Sequence, residues 1–188
     1  MRNNMVVGIF LCLAAIQIIT PLSMIARRES VLKNGEQFKF KTAPVDPYDA
    51  FRGRYVALRI EGDSVSVPKE IQVSRGQTVY ALIGTDEQGY AKLTAITASR
   101  PAGGPYIQAK VRYLSGGKAQ LDLPIDRYYM EEKAAPEAER IYRQHSGRDK
   151  QNAYLLVRVK DGFPAIEALY VGGKRIEEAI KNAEKEIK

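Results

Sequence analysis

Two aspartates and two arginines, Asp46, Asp49, Arg52 and Arg54, fall within nine residues of one another. The stretch reads Pro44-Val45-Asp46-Pro47-Tyr48-Asp49-Ala50-Phe51-Arg52-Gly53-Arg54-Tyr55-Val56-Ala57-Leu58. Carboxylates and guanidinium groups at this density suit two kinds of chemistry. One is recognition, since a guanidinium makes directed bonds to carboxylates and phosphates. The other is paired-carboxylate catalysis, which needs two acids at a defined separation with their pKa values pushed apart. Glu131, Glu132, Glu137 and Glu139 are further acids for such a pair, and His145 is the single histidine. Local backbone roles account for the same residues. Pro44 and Pro47 stiffen the chain, and Asp46 can bond to backbone N–H groups two or three residues on. Asp46-Pro47 has the form of an N-cap followed by proline at the first helical position. Gly53 then frees the backbone before the strand of Tyr55. The expectation is a rigid corner whose charged surface, Asp46, Asp49, Arg52 and Arg54 with Tyr55 and Glu131, binds a partner.

Other site chemistries find little support. The one cysteine, Cys12, lies in a hydrophobic run, so an intrachain disulfide is impossible and a multi-cysteine zinc site is excluded. With one histidine and no cysteine beyond that run, no metal or cofactor is expected. His145 reads as a solvated residue at a helix C-terminus. Ser64, Ser66 and Ser74 read as loop residues without the companion motif of a Ser–Lys nucleophile. The Gly103-Gly104 and Gly116-Gly117 pairs lack the spacing of phosphate-binding loops. A net charge of +7 is spread over single lysines and arginines, with no run of five or more like charges. That pattern points away from nucleic acid and suits residence near anionic headgroups.

The element that must hold this domain in place is N-terminal. Met5–Ile25 carries no charge over 21 residues and is closed by Arg27 and Arg28. At about 1.5 Å per residue it spans roughly 30 Å, the hydrocarbon thickness of a bilayer. Pro21 is expected near an end, where a helix can bend or fray. Met24 and Ala26 make a poor signal-peptidase site, so an uncleaved anchor is expected over residues 1–26. Arg27, Arg28 and Lys33 outweigh Arg2 in a positive-inside count, which places the domain in the cytoplasm. The short tail before the first hydrophobic segment argues instead for export. An extracytoplasmic domain on the cytoplasmic (inner) membrane is the expectation.

Beyond the anchor the apolar pattern has a period of two. Gln37–Lys41, Arg54–Glu61, Thr78–Ile83, Tyr90–Ala98, Tyr106–Leu114, Ala119–Leu123, Ala153–Lys160 and Ala165–Val171 read as strands. Ile107, Ala109, Val111 and Tyr113 fall on one face. Ser115–Lys118 and Asp161-Gly162 read as hairpin turns. Two helices are predicted, Pro136–Gln144 and Lys174–Ile187. The second has an apolar stripe of Ile176, Ile180, Ala183 and Ile187, and Glu177 is placed to support Lys181. The fold class is α+β: a transmembrane helix, then residues 27–188 as a mainly antiparallel β domain, sheet or small barrel, with one internal and one C-terminal helix.

The corner also resembles the signature of the GDYXXLXY family, Gly-Asp-Tyr-x-x-Leu-x-Tyr preceded by Pro-Val-Asp-Pro-Arg-Asp and Arg. Gly53, Tyr55 and Leu58 match the name-giving pattern; Arg54 replaces its Asp and Ile60 its last Tyr. Pro44, Val45, Asp46, Pro47, Asp49 and Arg52 match upstream, with Tyr48 in place of Arg. Glu29, Leu32 and Gly35 reproduce a Glu…Leu…Gly run. Asp126–Glu139 resembles an aromatic-x-x-Glu-Gly stretch leading into a helix, with Lys133 at the Gly position. The resemblance implies a membrane-anchored bacterial protein, often encoded beside polytopic membrane proteins, and gives no mechanism. The reading is a single-pass anchored protein that binds the bilayer through residues 5–25 and a polytopic membrane protein through the charged corner. The alternative is a membrane-anchored hydrolase using carboxylates near Asp46–Tyr55.

Overall fold

The computed structural model describes residues 2–43, 55–68, 71–147 and 152–186. Helix α1 (Arg2–Asn34) is long and apolar enough to cross a membrane, and none of its apolar stretch is buried against the rest of the chain. Pro21 lies inside it rather than at an end, and the helix runs on past Arg27 and Arg28 to Asn34. Near Pro21 the Thr20 hydroxyl donates to the Ile16 carbonyl at 2.8 Å. Gly35 ends the helix and donates its N–H to the Val31 carbonyl at 2.8 Å. A Cβ at Gly35 would sit 2.5 Å from that oxygen, so only glycine allows so tight an exit.

The strands follow in chain order as β1 (Glu36–Ala43), β2 (Tyr55–Ala57), β3 (Arg59–Ile60), β4 (Ser64–Ser66), β5 (Thr78–Thr85), β6 (Ala91–Thr97), β7 (Tyr106–Ser115), β8 (Lys118–Asp122) and β9 (Arg127–Tyr129). After α2 (Ala135–Ser146) come β10 (Ala153–Lys160), β11 (Phe163–Val171), β12 (Lys174–Arg175) and α3 (Ile176–Glu186). One sheet runs β12-β11-β10-β1-β6-β5-β7-β8-β4, with β3 paired to β1, and β2 and β9 make a separate ribbon. Among the described residues every pairing is antiparallel except the parallel contact of Phe40 with Ala91. The sheet rolls up, because the Gln108 N–H of β7 bonds to the Gly162 carbonyl in the β10–β11 turn at 2.9 Å. Phe40, Ile96, Ile107, Leu155, Val157 and Leu169 fill the inside of the roll. Ala138, Ile141 and Tyr142 of α2 and Ile176 and Ile180 of α3 join the same core.

Four local expectations are corrected. Arg54–Glu61 is not one strand: β2 pairs with β9 while β3 pairs with β1, so the alternation survives but the chain changes sheets at Leu58. Tyr113 does not share a face with Val111, since a bulge between them flips the alternation and leaves Tyr113 50% exposed. Ser64 and Ser66 lie on strand β4 rather than in a loop. Lys174 and Arg175 pair with Val171 and Tyr170 instead of opening the last helix.

Candidate functional site

Asp46, Asp49, Arg52 and Arg54 lie outside the described residues. Their neighbour Tyr55 opens β2 and faces Tyr129 across the ribbon, the two rings 5.6 Å apart and tilted. The Arg127 guanidinium lies 5.1 Å from the centre of the Tyr55 ring, a cation–π contact, and 3.5 Å from the Asp126 carboxylate. Val56 and Leu58 turn inward and are buried, which fixes which side of the ribbon faces out. The Leu58 N–H extends the ribbon by bonding to the Asp126 carbonyl at 2.8 Å. Strand β2 therefore holds the segment Asp126–Tyr129 in place.

Glu131 is exposed, and its carbonyl accepts the Ala134 and Ala135 N–H groups at the approach to α2. Glu137 and Glu139 are ion-paired on the surface of α2 with Arg140 and Arg143. His145 sits near the end of that helix, half-buried, with Nδ1 2.8 Å from the Asn152 side-chain oxygen. Glu177 accepts the Tyr128 hydroxyl, which ties the ribbon to α3. Among the described residues, no group of three or more His, Cys, Asp or Glu side chains is placed to hold a metal ion.

What sequence reasoning missed is a cleft of about 370 Å³ beside the ribbon. Thr78, Lys110 and Asp122 are register partners across β5, β7 and β8, so their side chains share one face and form a row along the floor. Gly162, Phe163 and Pro164 of the β10–β11 hairpin make one wall. Leu123, Pro124 and Asp126, the segment that leads into β9, make the other. Alternation in Tyr106–Leu114 already sets Gln108 and Lys110 opposite Ile107 and Ala109; only the fold supplies Asp122 and the hairpin.

The hairpin wall is in turn tied to α1. The Arg27 guanidinium lies 4.3 Å from the centre of the Phe163 ring. Lys160 donates to the Ser30 hydroxyl at 3.0 Å, and Arg158 to the Gly35 carbonyl at 3.2 Å. Val31 is only 2% exposed. Helix α1 and the ribbon thus hold opposite walls of one cleft.

The model of a protein family described as GDYXXLXY protein matches residues 17–169, from within α1 to within β11. No curated protein and no solved structure matches the chain.

Proposed function

The chain belongs to the GDYXXLXY family, and from that premise we propose that it is a single-pass membrane-anchored binding protein that engages an integral membrane partner. The observation that carries this reading is the joint between α1 and the domain. Arg27 and Ser30 contact the β10–β11 hairpin through Phe163 and Lys160, Val31 beside them is buried, and the chain turns at Gly35 straight into β1. A domain held this way keeps one orientation above the bilayer and presents the same surface to a neighbour in it. Tethered by a flexible linker it would sample many orientations, and binding would bear that ordering cost.

In this reading α1 crosses the bacterial inner membrane through residues 5–25 and the domain is extracytoplasmic. The contact surface is formed by Asp46, Asp49, Arg52, Arg54, Tyr55 and Glu131, and the partner is a polytopic membrane protein. Arg127 and Tyr129 border that surface through their contacts with Tyr55.

The test is co-purification from detergent after crosslinking in cells. Arg52→Glu with Arg54→Glu is expected to abolish recovery of a specific membrane protein, whereas Lys92→Glu with Lys118→Glu is expected to leave it intact. Equal losses from both pairs would reduce the site to general electrostatics. Hydrolysis of a peptide, phosphate or glycoside substrate that disappears with Asp46→Asn or Glu131→Gln would establish an enzyme instead.

A further inference from the structure

We infer that the cleft between the β10–β11 hairpin and the Leu123–Asp126 segment is a seat for the anionic headgroup of a phospholipid, with Lys110 as the residue that meets the phosphate.

The charges in and around the cleft leave one lysine unengaged. Asp122 is held by Arg112 at 3.0 Å and Asp126 by Arg127 at 3.5 Å, so each carboxylate in the cleft has its own arginine. Lys110, in the middle of the floor row, forms no ion pair among the described residues, because Asp122, its register partner on β8, is taken by Arg112. The lining itself holds one cation, Lys110, and two anions, Asp122 and Asp126; with Arg112 and Arg127, which pair with those two carboxylates, the cations number three against two anions. A lysine ammonium is a compact point charge that suits a phosphate. Thr78 and Gln108 add hydrogen-bonding side chains on the same floor.

The shape of the cleft suits the same ligand. The walls are Phe163 and Pro164 on one side and Leu123 and Pro124, with Asp126, on the other, and the floor row is Thr78, Lys110 and Asp122. Largely apolar walls beside a polar floor suit an amphipathic molecule whose phosphate meets the floor and whose glycerol and first methylenes meet the walls. A volume of about 370 Å³ fits a headgroup. Addition of an extended peptide strand to the β11 edge is disfavoured, because Pro164 has no N–H to offer and a bulge between Ile166 and Ala168 distorts the edge.

The cleft also lies close to the end of the apolar run. Arg27 lies two residues beyond the uncharged run that ends at Ile25, and its guanidinium rests on the ring of Phe163. The headgroup layer is about 5–7 Å deep on each side of the hydrocarbon core. A cleft wall in contact with the first arginine past the core is therefore at headgroup depth.

This inference rests on the membrane-anchored part of the reading above, and the experiment separates the two. The full-length chain is reconstituted into nanodiscs of phosphatidylcholine with increasing phosphatidylglycerol, and the lipid retained after detergent extraction is measured by native mass spectrometry. A chain that fails to enter phosphatidylcholine discs at all overturns the anchor. A chain that enters them and retains phosphatidylglycerol selectively supports the cleft. Lys110→Glu is expected to reduce that retention about thirtyfold, the factor for reversing one charge beside an anionic group at a membrane surface. Lys118→Glu is expected to leave it unchanged. Lys110→Gln, which removes the charge without reversing it, serves if circular dichroism shows that Lys110→Glu does not fold; about a fivefold loss is expected. Unchanged retention in the Lys110 variants, or equal loss with Lys118→Glu, overturns the assignment. Soluble glycerol phosphate that raises the melting temperature as far as phosphatidylglycerol does would make the site one for free phosphate esters. Loss of the membrane-protein partner from Lys110→Glu with lipid retention intact would reassign the cleft to an acidic loop of that partner.

Discussion

Tyr128 shows how one side chain can couple elements far apart in sequence. Burial pushes its hydroxyl pKa up from the ordinary value of 10.0, and the hydrogen bond to Glu177 adds in the same direction. Burial likewise raises Tyr142, on α2. Below pH 10 both folded and unfolded chains keep these protons, and the full contribution is present. Above it the unfolded chain ionises first, so stability falls as pH rises towards the folded values. Tyr128→Phe is expected to cost about 1 kcal/mol near neutral pH, the usual worth of a hydrogen bond, and to flatten part of the loss above pH 10. Urea melts on either side of pH 10 measure both effects, and an unchanged alkaline slope would assign the titration elsewhere. Gly162 makes a second residue-scale case. Its φ is +78°, and a Cβ there would lie 2.3 Å from Cε2 of Tyr106. Gly162→Ala is expected to destabilise by more than about 1 kcal/mol, read as a lowered melting temperature.

Among the elements, the end of α1 is where the chain departs most from a domain on a string. Its final turns are amphipathic in use although the helix as a whole is not: Val31 is buried while Glu29 and Lys33 pair with each other in solvent. Val31→Ala removes two methyl groups from that contact. It is expected to speed hydrogen exchange at residues 27–34 about tenfold while leaving exchange in β5 and β7 unchanged. Equal acceleration in all three places would show that the joint opens only with the whole domain. The β2–β9 ribbon is the second such element. It is three residues long on each strand, too short to stand alone, and depends on Val56 in the core and on the Tyr128–Glu177 bond.

For the whole molecule, the consequence is a β roll fixed to a helix that can cross a membrane. The full-length chain is expected to stay with membranes through alkaline carbonate extraction, and a chain lacking residues 1–26 to appear in the soluble fraction. A processed product starting near Arg27 in the soluble fraction of the full-length preparation would contradict the anchor. Reporter fusions at Lys188 decide which side the domain occupies.

Local chemistry determined the elements. An uncharged run of 21 residues can satisfy its backbone in lipid only as a helix, so the apolar part of α1 was legible, while its extension to Asn34 and the place of Pro21 inside it were not. Period-two alternation announced most strands, and Asp161-Gly162 announced its turn, where both residues have positive φ. The short β4, β9 and β12 were not legible, because two or three residues carry too little pattern. The tertiary structure alone decided which strands meet. The roll that brings Gln108 to Gly162 joins positions far apart in the chain, and with them Lys110, Asp122 and Phe163 in one cleft. Alternation states only which way a side chain faces; register and curvature, set by the packing of the whole core, state what it faces.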